Sequence, residues 1–223
     1  MINVAIDGPV GAGKSTIARE CAKRMGFIYV DTGALYRTVG LFCKRNGIEI
    51  SAENEENIDK AINEGLKLEI KLENDTQLVF MNGENVSVEI RLPEMSMAAS
   101  AVSAIPCVRR FLLETQRKVA RENNVIMDGR DIGTVILPNA DVKIFLTAKP
   151  EIRAKRRYDE LIAKGVEVKF EDVLNDLNTR DYNDSHRAES PLKQADDAIL
   201  LDTSEFDFEQ SVMAVINLIE KSE

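Results

Sequence analysis

Gly8-Pro9-Val10-Gly11-Ala12-Gly13-Lys14-Ser15 constrains this chain more than any other stretch, because few folds can carry that spacing. Ahead of it runs Ile2-Asn3-Val4-Ala5-Ile6, short and mostly apolar, which predicts a buried strand. Behind it, Thr16 to Met25 has helical spacing and halts at Gly26. A strand, a glycine loop and a helix in that order form a phosphate-binding loop, G-x-x-x-x-G-K-[ST]. Its glycines leave room for backbone N–H groups to turn inward around phosphate oxygens. Lys14 brings a point charge to the β and γ phosphates, and Ser15 a hydroxyl for Mg²⁺. The N-terminus of the helix adds its partial positive charge at the same place. A nucleoside triphosphate is therefore expected along Gly8, Pro9, Val10, Gly11, Ala12, Gly13, Lys14, Ser15 and Thr16.

The remaining pattern tells what surrounds the loop. Phe27-Ile28-Tyr29-Val30-Asp31 reads as a second strand, and a helix from Thr32-Gly33 to about Arg45 stops at Asn46-Gly47. Residues 51–57 are polar and form a loop or a helix start. Leu66-Lys67-Leu68-Glu69-Ile70-Lys71-Leu72 then alternates strictly, as a half-buried antiparallel strand does. Gln77–Met81 and Glu84–Ile90 continue that character, joined by the hairpin dipeptide Asn82-Gly83. Helix is expected from Pro93 to about Asn124. Buried strands return at 125–128 and 142–146, followed by charged helices at about 150–164 and 170–182. A last strand at 198–202 and a helix at about 207–221 close the chain. Strands apolar along their length, alternating with helices, predict a parallel sheet covered on both faces. The fold class is thus α/β, a doubly wound parallel five-stranded sheet with the phosphate loop after strand 1. A small antiparallel β insertion interrupts it at about 62–92.

Bulk properties narrow the function. The 223 residues, 44% of them hydrophobic, suit one domain with a sizeable core. No apolar stretch is long enough to span a bilayer, and the N-terminus shows no signal-peptide pattern, so no membrane partner is expected. Cys21, Cys43 and Cys107 lack metal-ligand or C-x-x-C spacing and read as reduced core thiols of a cytoplasmic protein. A formal net charge of −9 argues against general nucleic-acid binding. A polyanion at the loop then requires arginines gathered locally, and Arg130, Arg153, Arg156, Arg157, Arg180 and Arg187 supply candidates. The run 153–157 alone is equally well a solvated helix face. No N-K-x-D guanine-reading motif is present, which weighs against a GTPase switch. The second strand ends at Asp31-Thr32-Gly33-Ala34-Leu35-Tyr36-Arg37, where open α/β sheets present ligands.

These pieces carry a resemblance. D-G-P-V-G-A-G-K-S-T at 7–16, D-T-G-A-L-Y-R at 31–37 and A-S-A-V-S-A-I-P-x-V-R at 99–109 are joined by three others. Those are D-G-R-D-I-G-T at 128–134, K-I-F-L-T-A at 143–148 and R-D-x-x-D-x-x-R around 180–187. With them the chain resembles the bacterial cytidylate kinases over essentially its whole length. One departure is Thr32, where the family often has Ser; the hydroxyl is kept.

The resemblance implies one kinase domain over 1–223, with core segments 1–57, 93–149 and 188–223. It also implies a monophosphate-binding insertion at about 58–92 and an arginine-bearing lid at about 150–187. The implied reaction is ATP plus CMP or dCMP giving ADP and the diphosphate, with Mg²⁺, in a cytoplasmic monomer. Lys14 would hold ATP phosphates, and Arg37 and Arg130 the acceptor phosphate beside Thr32. Arg153 and Arg157 would close over the transferring group. Asp131 would accept from the cytosine amine, with Arg109 and Ser100 on the acceptor edge of the base. Arg180, Asp184 and Arg187 would contact ribose, phosphate or base. Asp128 would meet Mg²⁺ through water, with Ser15 as the direct ligand. His186 reads as a bystander, since the acceptor phosphate is already anionic. The residues alone leave open a kinase for UMP, dTMP, AMP or shikimate, or an ATP-binding module that transfers nothing. Ser100 by itself is better explained as part of a small-residue packing face.

Overall fold

A computed structural model describes residues 1–73 and 76–221. The parallel strands are β1 (Asn3–Asp7), β2 (Ile28–Asp31), β6 (Val125–Gly129), β7 (Val142–Thr147) and β8 (Ile199–Asp202). Their order is β2-β6-β1-β7-β8, the five-stranded sheet expected from the apolar runs. A separate antiparallel sheet holds β3 (Leu68–Glu73), β4 (Thr76–Met81) and β5 (Glu84–Asn85). The helices are α1 (Lys14–Met25), α2 (Thr32–Arg45), α3 (Glu55–Gly65), α4 (Pro93–Ser103), α5 (Pro106–Glu122), α6 (Pro150–Ala163), α7 (Phe170–His186) and α8 (Phe208–Glu220). No single helix among the described residues is long and apolar enough to cross a membrane.

The chain divides into two compact units. One comprises Ile2–Phe27 and Ile126–Glu223, and carries the phosphate loop. Val4, Ala5 and Ile6 of β1 and Ile144 and Leu146 of β7 form its buried centre, β1 pairing with β7 from Val4↔Val142 onward. α1 packs on α8, where the Cys21 thiol donates to the Val212 carbonyl at 3.6 Å. A capping box starts α8: Asp207 accepts from Gln210 N while Gln210 accepts from Asp207 N. The last strand departs from expectation. β8 sits at the sheet edge, and Ile199 and Leu200 are 44% and 57% exposed, so the sheet is not covered along its whole width.

The other unit comprises Ile28–Val125 with Met1. Its core gathers Leu35, Val39, Ile58, Ile62, Val79, Ile90, Val102 and Leu112. α2 and α4 lie close because small residues meet: a Cβ on Gly40 would stand 2.8 Å from that of Ala98. Asn82-Gly83 forms the expected two-residue turn, with positive φ at both (52° and 85°) and Met81 facing Glu84. The strand expected over 84–90 is shorter, ending at Asn85. There Ser87 turns back, its N–H and hydroxyl both donating to Asn85 Oδ1, and a 3₁₀ turn comes next at Glu89–Arg91. The expected helix to Asn124 is broken at Ala104-Ile105, ahead of Pro106, into α4 and α5. Of the alternating run, Leu66 is buried and Leu68 and Ile70 pack on the core. The side chain of Leu72 lies outside the described residues.

Candidate active site

The phosphate loop is shaped by its glycines and gripped from behind. Gly8 has φ 150°, and a Cβ there would stand 2.0 Å from the Leu146 carbonyl oxygen, so no other residue fits. Gly13, at φ 89°, turns the chain into α1 without a side-chain cap, which leaves the helix N-terminus open to an anion. Lys14 is 5% exposed, and its Nζ donates to the Pro9 carbonyl at 2.7 Å. Burial, and next the charge of Arg130, push this amine well below the usual lysine range, against Asp128, Asp7 and Asp184. Ser15 Oγ donates to Asp128 Oδ2 at 2.7 Å. A hydroxyl and a carboxylate held together at the loop fit the oxygen ligands Mg²⁺ prefers. Asp128 is the next-to-last residue of β6, which runs one position past the end that the pattern predicts at 128.

Arg153 and Arg157, one turn apart on α6, meet different surroundings. Arg153 is buried, and donates to Ala148 O at 2.8 Å, to Val10 O at 2.7 Å and to Asp181 Oδ2 at 2.5 Å. Asp181, on α7, also accepts from Val10 N at 3.0 Å. The peptide groups of one loop residue are thus held on both sides by an ion pair joining α6 to α7. Arg157 lines an open cleft of about 510 Å³ with Thr16, Glu160, Phe206 and Phe208, and pairs with Glu160 at 2.8 Å. Arg156 is spent on structure, donating to Thr203 O at 2.7 Å. Lys155 pairs with Asp159 on the surface.

The turn after β6 brings four of the expected residues together. Arg130 Nε donates to Asp184 Oδ2 at 2.7 Å, Arg187 lies 4.0 Å from Asp184 Oδ1, and Arg187 Nη2 lies 3.6 Å from Asp131 Oδ1. Charges therefore alternate along Arg130, Asp184, Arg187 and Asp131, with Asp131 and Asp184 buried. The turn itself is one π-helical turn, Ile132–Ile136, and Asp7 holds its start. The Asp7 carboxylate accepts from Ile132 N and from Gly133 N, both at 2.7 Å. Burial pushes its pKa up to about 6, aided by Asp131 and opposed by those two N–H groups and Lys14. Arg180 makes no hydrogen bond or ion pair among the described residues. Burial, then Arg130, lower its grip on its proton, with Arg157 acting the same way and Asp184 and Asp181 opposing.

In the other unit, Asp31 caps α2 by accepting from Ala34 N at 2.9 Å, and pairs with Arg37 Nη2 at 2.7 Å. Arg37 Nε is buried and has no partner among the described residues, a donor suited to an anion. Thr32 is buried in the first turn of α2. Arg109 donates to Ser103 O at 3.0 Å and lies over the Tyr36 ring at 5.6 Å. Ser100 offers its carbonyl to Ser103 Oγ at 2.9 Å, inside α4.

Comparison with known proteins decides the family. Residues 4–221 match the family model described as cytidylate kinase. The chain belongs to the cytidylate kinase family. A cytidylate kinase of Caldanaerobacter subterraneus subsp. tengcongensis is 50% identical over 99% of this chain and 96% of its own. One from Caldicellulosiruptor bescii is 48% identical, again over 99% and 96%. Among solved structures, an uncharacterized protein from Eubacterium ventriosum aligns over 99% of both chains with a TM-score of 0.52. At 13% identity that likeness speaks for the fold alone.

Residues without a role in the family motifs also matter. Gln77 lies outside the family motifs, whereas Asp181 in R-D-x-x-D-x-x-R and Asp7 ahead of the loop glycines stand within them with no role that position alone suggests. His186 stacks on Tyr182 at 4.0 Å and its Nδ1 lies 2.8 Å from the Tyr182 carbonyl, on the surface. Burial pushes the thiols of Cys21, Cys43 and Cys107 up to about 12, 11 and 11, which leaves them poor nucleophiles.

Proposed function

We propose that the protein transfers the γ-phosphoryl group of ATP to CMP or dCMP, giving ADP and CDP or dCDP. Family membership over the whole chain carries the reaction. The observation that carries the base assignment is Asp131, a buried carboxylate one residue beyond Arg130 and beside Arg187. Cytosine presents an amine donor where uracil presents a carbonyl acceptor, so a fixed carboxylate favours the first and repels the second.

The chemistry needs alignment and charge compensation more than covalent help. Lys14 and the loop amides would hold the ATP phosphates, and Ser15 with Asp128 would hold Mg²⁺, Asp128 through water. The metal, when bound, draws charge from the β and γ oxygens. The cleft walled by Phe206, Phe208 and Arg157 suits the adenosine part of ATP. In the loop-bearing unit, Arg130 and Arg180 serve the acceptor phosphate and Asp131 the base amine. Asp184 and Arg187 hold those two groups in register and serve the ribose. In the other unit, Arg37 with Thr32 serves the acceptor phosphate, and Arg109 with Ser100 the acceptor edge of the base. Helices α6 and α7, within about 150–187, act as the lid, and 58–92 as the monophosphate-binding insertion. Arg157 is the lid arginine that reaches the transferring group. Arg153 supports it by keeping the loop in shape. Two further parts of the reading are a single chain as the working unit and the cytoplasm as its compartment.

A coupled ADP-release assay with Mg-ATP and each of CMP, dCMP, UMP, dTMP and AMP tests the reading. Preference for CMP and dCMP is the expected result, and activity led by another acceptor overturns the base assignment. Asp131→Ala should lower kcat/KM with CMP by about 10³ or more, and with UMP far less. Equal losses on both substrates would mean that Asp131 does not read the base.

A further inference from the structure

The sheet β3-β4-β5 supplies no group to the proposed phosphoryl transfer, yet one of its side chains reaches β2. Gln77, the second residue of β4, is 6% exposed. Its Oε1 accepts from Asp31 N at 2.8 Å, and its Nε2 donates to Asp31 O at 3.3 Å. One side-chain amide therefore satisfies both backbone polar groups of Asp31, as a neighbouring strand would. Asp31 is the last residue of β2 and also the cap of α2, so its backbone fixes the hinge between strand and helix.

Asp31 passes that constraint on to an arginine. Its carboxylate caps α2 through Ala34 N with Oδ1 and holds Arg37 Nη2 with Oδ2. Gly33 leaves the space for this: a Cβ there would stand 3.1 Å from Arg37 Nη1 and 3.2 Å from Asp31 Oδ1. Arg37 is thereby aimed by a single carboxylate while its buried Nε stays without a partner among the described residues. A rotation of the Asp31 peptide would swing both carboxylate oxygens and the guanidinium with them.

We propose that Gln77 is a positioning residue for the acceptor phosphate, fixing Asp31 so that Asp31 aims Arg37. The sheet β3-β4-β5 thereby sets acceptor affinity without touching the acceptor through this residue. The inference rests on the reading of Arg37 as an acceptor-phosphate arginine. Gln is suited to the task because one planar group carries the donor and the acceptor that the Asp31 backbone needs. Met has similar length and neither group.

The test is a double-mutant cycle read by steady-state kinetics with the full chain, using Gln77→Met, Arg37→Ala and the double variant. Gln77→Met should raise KM for CMP about tenfold, the size of one coupled polar contact, and leave KM for ATP within about twofold. In the Arg37→Ala background the same change should add less than about twofold. Gln77→Glu keeps the acceptor for Asp31 N and is the second variant where the Met variant does not fold. It too should raise KM for CMP and spare KM for ATP. Equal effects of Gln77→Met with and without Arg37 would overturn the coupling. Rises in KM for both substrates, together with a lower melting temperature, would make Gln77 merely structural and overturn it as well. An unchanged KM for CMP in Arg37→Ala alone would overturn the Arg37 reading and this proposal with it.

Discussion

At the scale of single residues, the loop motif hides a cost. Asp7 precedes the first glycine, is 5% exposed, and titrates near 6 rather than 3.8 because burial opposes its charge. The folded state therefore binds a proton between about pH 4 and 6 that the unfolded chain does not. Stability from this group falls as pH rises through that window, and at pH 7 its charge costs about 3 kcal/mol. That cost is the condition for two charge-assisted bonds to the turn that presents Arg130 and Asp131. We expect the wild type to gain about 1.4 kcal/mol over Asp7→Asn between pH 7 and pH 5. Urea unfolding of both proteins at both pH values checks this, and a constant gap would show that Asp7 keeps an ordinary pKa. Gly8→Ala belongs to the same scale. Its Cβ would meet the Leu146 carbonyl oxygen at 2.0 Å, so β1 and β7 must separate or the loop must refold. A melting temperature lower by about 10 °C or more, or no soluble protein, is expected, on the order of 3 kcal/mol or above.

At the scale of elements, α6 carries two arginines whose replacement should have opposite signatures. Asp181→Asn strips the charge from the partner of Arg153 and weakens the bond to Val10 N, in a pair whose side chains are 19% and 6% exposed. Breaking such a pair costs about 3 kcal/mol of stability, readable by chemical unfolding. Arg157→Ala removes a side chain that lines the cleft and pairs with Glu160 on its own helix. Its stability should change by less than about 0.5 kcal/mol while kcat falls about 10³-fold. A stable Asp181→Asn protein, or an Arg157→Ala protein that loses stability instead of turnover, would reverse the two assignments. This contrast also marks the limit of legibility. The helix, its arginines and the five parallel strands follow from periodicity, because apolar spacing records which face is buried. Which arginine turns toward the loop depends on where α7 lies, and Asp181 sits 28 residues from Arg153 and 171 from Val10. Local pattern holds no trace of such a pairing. The shortness of β5 escapes the pattern for the opposite reason: Val86 and Val88 continue the alternation, while the Ser87–Asn85 bonds bend the backbone away. The exposure of β8 escapes it because an edge strand reads as apolar as a central one.

At the scale of the whole molecule, the net charge of −9 and the crowding of arginines pull in opposite directions. An acidic surface repels nucleotides at long range, and salt screens that field within about 10 Å. The loop-bearing unit nevertheless gathers basic side chains locally. Arg180 is a buried charge near Arg130 and Arg157, offset only in part by Asp184 and Asp181, and it makes no ion pair among the described residues. An anion that enters would offset that charge, and the loop amides and the open start of α1 add to the attraction. On the proposed reading, the polyanion would bind through one local concentration of charge, not through the charge of the protein as a whole. Inorganic pyrophosphate without metal should then stabilise the protein by about 1.4 kcal/mol at ten times its Kd. For a chain of this size that is a rise of about 3–6 °C in melting temperature. Sodium chloride at equal ionic strength should give a smaller rise, since it only screens. Arg180→Met should start from a higher melting temperature, because the burial of a charge is relieved, and lose most of the pyrophosphate response. Should chloride match pyrophosphate, no anion site exists in the free protein. A full response in Arg180→Met would place the anion on Lys14 and the loop amides alone, and leave Arg180 with the acceptor phosphate as its one proposed partner.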